Sequence, residues 1–60
     1  MSAQEYFEVL MSRHTKIQAR GIIEAKLSQL DAKMSKYGFT PDDLAEERLL
    51  KDTKKLIINR

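Results

Sequence analysis

Tyr37-Gly38-Phe39-Thr40-Pro41-Asp42-Asp43-Leu44 joins the end of one helix directly to the beginning of another. Gly38 is the residue type that closes a helix in a left-handed conformation, and Phe39, one position further on, is expected to pack its ring back on Met34. Thr40 then supplies an N-cap oxygen, Pro41 sits where a missing N–H costs nothing, and Asp42 and Asp43 meet the positive end of the new helix dipole. Phe39 and Leu44 also occupy the two positions of a hydrophobic staple. Gly38, Phe39, Thr40 and Pro41 are therefore read as turn structure rather than as a site.

Upstream of this turn, Ser2 to Tyr37 contains no proline and a single glycine, and strong helix formers dominate. Ala3, Phe7, Leu10, His14 and Ile17 recur at steps of four and three, as do Ile23, Leu27, Leu30, Met34 and Tyr37. The step from Ile17 to Ile23 breaks that rhythm at Gly21 and turns the apolar stripe by more than half a revolution. Two readings follow. In the first, a continuous helix over about 2–37 changes neighbours at Gly21; in the second, the chain breaks near Gly21 and the first block folds back as a third helix. Downstream, Ala45, Leu49, Thr53 and Leu56, widened by Leu50 and Ile57, define a shorter helix over about 41–58.

The expected fold is thus all-α, one domain over residues 1–60, with unequal arms. A helix of about 35 residues is about 52 Å long, and an arm of about 18 spans only about 27 Å of it. Tyr6, Phe7, Leu10, His14 and Ile17 would lie outside the cover of that second arm. An apolar face of this size normally marks an interface, so the continuous-helix reading implies a homodimeric four-helix bundle or a protein partner docked there. The alternative, a three-helix monomer broken near Gly21, hides the same residues within one chain. A chain of 60 residues without cysteine has neither disulfides nor a metal cluster to reinforce a small core, which favours association.

Composition narrows the function classes. A formal net charge of +2 with 33% charged residues of both signs is only mildly basic. The apolar runs Val9-Leu10-Met11 and Leu56-Ile57-Ile58 are far too short to cross a bilayer, so a cytoplasmic protein without membrane contact is expected. His14 is the lone histidine, and its helical neighbours Leu10, Met11, Ile17 and Gln18 offer no metal ligand or acid partner, so it reads as an interface residue. There is no glycine-rich phosphate loop and no Ser-His-acid set, and the acids at Asp42 to Glu47 are accounted for by the helix start. No enzyme, cofactor or metal site is expected.

One charged feature bears on partners. Arg13, Lys16 and Arg20 fall at i, i+3 and i+7, and no acid occurs from Val9 to Ile23. On a continuous helix this is a basic ridge that could meet phosphates, with binding that weakens steeply as salt rises. The sequence therefore points first to a small regulator or adaptor acting through helix-mediated self-association and binding of another macromolecule. A nucleic-acid-binding regulator using Arg13, Lys16 and Arg20 is the alternative.

Overall fold

The computed structural model describes residues 2–59, and it contains three helices: α1 (Ala3–Arg13), α2 (Lys16–Tyr37) and α3 (Pro41–Ile58). The expected continuous first helix is therefore interrupted, and the arrangement is the three-helix alternative with its break displaced from Gly21 to His14-Thr15. Gly21 lies inside α2. A glycine in a helix interior costs only about 0.5–1 kcal/mol, which surrounding packing overcomes readily. At His14-Thr15 the backbone itself is redirected: both residues are extended, with ψ of 157° and 166°.

The same device opens every helix. Ser2 Oγ accepts from the Glu5 N–H at 3.2 Å and Thr15 Oγ1 from the Gln18 N–H at 3.2 Å. Thr40 Oγ1 accepts from the Asp43 N–H, also at 3.2 Å. In each case the third helical residue returns the bond, its side chain accepting from the backbone N–H of the cap. These three capping boxes satisfy amide groups that a helix start would otherwise leave unpaired. At the end of α1, the His14 N–H donates to the Leu10 carbonyl at 2.9 Å, so the helix closes without glycine.

Folding α1 back buries Phe7 and Leu10, which remain only 6% and 8% exposed, in one core with Ala19, Ile23, Leu30, Leu50 and Ile57. Each such side chain contributes about 1.5–3 kcal/mol on burial, enough to outweigh a short interruption whose amides are recapped. Although α1 precedes α2 in the chain, it packs mainly on α3. The line of burial on α3 accordingly runs through Asp43, Leu50, Thr53 and Ile57, and Ala45, expected on the apolar stripe, is exposed. Thr53 is fully buried and donates its hydroxyl to the Leu49 carbonyl at 2.7 Å, so its polar atom has a partner within its own helix.

Two ion pairs fix the register of α2 against α3. Lys33 pairs with Asp43 at 3.1 Å and Glu24 with Lys54 at 3.4 Å, so contacts move backward along α2 as they advance along α3. The two helices are antiparallel. At 1.5 Å per residue the 22 residues of α2 span about 33 Å, which is the long dimension of the 33 × 19 × 18 Å molecule. Among the described residues, no helix is long and apolar enough to cross a membrane.

Candidate interaction surfaces

Folding redistributes the five residues expected at an N-terminal interface. Phe7 and Leu10 lie in the core, Tyr6 packs against it half-buried, and His14 is a half-buried helix-ending residue. Ile17 separates from the others: it occupies the first turn of α2 and is 84% exposed. The stripe of α2 begins instead at Ala19 and continues through Ile23, Leu27, Leu30 and Met34. The irregular step from Ile17 to Ile23 thus falls within α2, whose first turn turns Ile17 to solvent before the buried stripe begins at Ala19.

At the opposite end, the turn between α2 and α3 leaves three large apolar side chains in water: Tyr37 at 74%, Phe39 at 64% and Leu44 at 47% exposure. Phe39, expected to pack on Met34, is not among the side chains packed against the core that Met34 borders. Gly38 explains this, because its φ of 79° and ψ of −178° lie in a region essentially confined to glycine and send the chain outward in an extended path. Its N–H still closes the helix on the Met34 carbonyl at 2.9 Å. Lys36 extends its ammonium over the Tyr37 ring, 5.2 Å from the centroid, adding a cation to this end.

The charged residues form local pairs along the α2–α3 seam. Asp43 is buried, accepts from Lys33 at 3.1 Å and from the Thr40 N–H at 3.2 Å, and its carboxyl is held below the usual range first by Lys33 and then by the Thr40 backbone. Glu24 is shared by Arg20 at 3.2 Å and Lys54 at 3.4 Å, and these two partners, Arg20 foremost, lower its pKa. On α3, Glu47 accepts from Lys51 at 2.9 Å and raises the lysine's pKa. Lys26, Gln29, Leu30, Lys33 and Glu46 border a shallow open groove of about 200 Å³ between the two helices. Among the described residues, no three His, Cys, Asp or Glu side chains are placed to hold a metal ion.

The basic residues are also divided by the break. Arg13 ends α1, Lys16 begins α2 and Arg20 is engaged by Glu24, so the three do not form a ridge on one continuous helix. What the fold adds is α3: because Lys54 reaches Glu24, Lys54 and Lys55 come to the same end of the bundle as Lys16 and Arg20. This convergence depends on the antiparallel register and is not visible as a local sequence pattern. Comparison with known proteins finds no matching family model, curated protein or solved structure.

Proposed function

We propose that this protein is a non-enzymatic intracellular regulator or adaptor that works by helix-mediated contact, self-associating through the α2–α3 turn and binding another macromolecule. The observation that carries the reading is the exposure of Tyr37, Phe39 and Leu44 within eight residues around one connection. Aromatic side chains offer large contact area at low entropic cost and are favoured anchors of protein interfaces. Folding α1 inward removes Phe7 and Leu10 from consideration as a surface, so the self-association expected of the N-terminal half moves to this turn.

Sedimentation equilibrium across the micromolar range tests it. The native chain should show a concentration-dependent rise in mass toward a dimer, and the double variant Phe39→Asp, Leu44→Asp should stay monomeric with an unchanged helical circular dichroism spectrum. A native chain that stays monomeric throughout overturns self-association through this turn. A nucleic-acid-binding regulator remains the second reading, favoured by the gathering of Arg13, Lys16, Lys54 and Lys55 at the other end. It requires retention of duplex DNA that falls steeply between about 50 and about 200 mM salt.

A further inference from the structure

The end of the bundle opposite the Gly38 turn combines two properties that the sequence scatters over three segments. The first is charge. Arg13 from α1, Lys16 and Arg20 from α2, and Lys54 and Lys55 from α3 lie toward the same end of the bundle, where Glu24 is shared by Arg20 and Lys54. Arg13, Lys16 and Lys55 are exposed.

The second property is apolar exposure on the same flank. Ile17 lies seven residues before Glu24, two helical turns away on the same side of α2, and Ile58 lies four residues after Lys54 on the same side of α3. Since Glu24 and Lys54 touch across the seam, Ile17 and Ile58 both lie beyond that pair toward the same end of the bundle, 84% and 51% exposed. A phosphate backbone makes no use of two exposed isoleucines. A partner presenting both carboxylates and apolar side chains uses the whole surface, through charge complementarity around an apolar centre.

We infer that this pole is a docking site for an acidic segment of another protein, with its carboxylates meeting Arg13, Lys16 and Lys55 and at least one large apolar side chain covering Ile17 and Ile58. The inference specifies the partner side of the adaptor reading but uses the opposite end of the molecule from the self-association turn. The two therefore fail separately. Loss of dimer mass in the Phe39→Asp, Leu44→Asp variant reports on the turn and leaves binding at the pole intact.

Fluorescence anisotropy provides the test, using a labelled acidic peptide with glutamates and helically spaced leucines, an all-glutamate peptide of equal charge, a labelled DNA duplex, and anionic phospholipid vesicles read by co-sedimentation. The leucine-bearing peptide should bind about tenfold more tightly than the all-glutamate peptide, as expected for covering one aliphatic side chain. Ile17→Ser with Ile58→Ser should abolish that tenfold preference while leaving the residual salt-sensitive binding. Arg13→Ala with Lys16→Ala should weaken both peptides. Ile17 is almost wholly exposed, so the single variant Ile17→Ser retains the fold and must by itself reduce the preference. Equal affinity for the two peptides, an unaffected Ile17→Ser variant, or tighter binding to duplex DNA or vesicles than to the leucine-bearing peptide would each overturn the assignment.

Discussion

The two interhelical connections solve the same problem with different chemistry. Between α2 and α3 the turn is locally encoded: Gly38 adopts a φ of 79°, Thr40 and Asp43 exchange capping bonds, and Lys33 anchors the Asp43 carboxylate. Between α1 and α2 there is no glycine, and the local devices are the His14 N–H that closes α1 on the Leu10 carbonyl and the Thr15/Gln18 box. That second connection is set largely from a distance, by the burial of Phe7 and Leu10 against α3. A turn defined by its own residues should respond to backbone substitutions, whereas one defined by packing should respond to changes in the core.

The largest expected effect is on the packing-defined connection. Leu10→Ala removes a buried side chain from the α1–α3 contact and should cost about 2–5 kcal/mol in urea unfolding. A loss below about 1 kcal/mol would show that α1 is not held by the core and would erase the contrast. Next comes Gly38→Ala. A Cβ there meets no atom within 4 Å, so the expected loss of about 1–3 kcal/mol arises from backbone conformation alone.

Thr15→Ala should cost about 1 kcal/mol, the usual contribution of an N-cap, without rejoining α1 and α2 because Phe7 and Leu10 still hold α1 in place. An amide-proton NMR pattern of continuous helix through His14 and Thr15 in this variant would contradict that. Gly21→Ala should raise stability by about 0.5–1 kcal/mol, since the residue is helical and its Cβ would enter open space. The smallest effect concerns acid. The carboxyl of Asp43 is depressed by Lys33 and the Thr40 backbone, so its stabilisation is complete above the ordinary carboxylate range and disappears as pH falls through that range to the lower folded value. Asp43→Asn should therefore lose stability relative to the native chain at pH 7, and the gap should shrink on titration toward pH 2. A constant gap would place the stabilisation elsewhere.

The contrast between the connections also explains what could be read from the residues alone. The stop and start at Gly38 and Thr40 are written in adjacent positions, and the structure places α3 at Pro41–Ile58 as the spacing implied. Thr15 and Gln18 carry a capping signal of the same type, yet a run of strong helix formers surrounds them, and only the gain from burying Phe7 and Leu10 decides that the signal is used. In the three-helix alternative the break was placed near Gly21, because glycine is the more conspicuous local mark. Its small helix penalty is outweighed once Ala19 and Ile23 are buried on either side of it.

The surfaces follow the same rule. That Arg13, Lys16 and Arg20 are basic was evident, but their division between two helices and the arrival of Lys54 beside Glu24 depend on how α3 crosses the bundle. Phe39 was legible as a staple position. Its exposure follows from the ψ of −178° at Gly38, which the residue type permits without requiring. Leu50 and Ile57 become the centre of α3 because a second helix, α1, covers it.

That α1 folds back onto α3 of its own chain decides which of its side chains are buried. This fold-back is tested most directly by isotope-filtered NMR on an equimolar mixture of labelled and unlabelled protein, observing nuclear Overhauser effects from the Phe7 ring and Leu10 methyl groups to the side chains of α3. These contacts should be intramolecular, absent from the spectrum that selects for contacts between labelled and unlabelled chains. Their appearance in that spectrum, together with helical amide connectivities running unbroken through His14 and Thr15, would contradict the fold-back and restore the long first helix and its dimer.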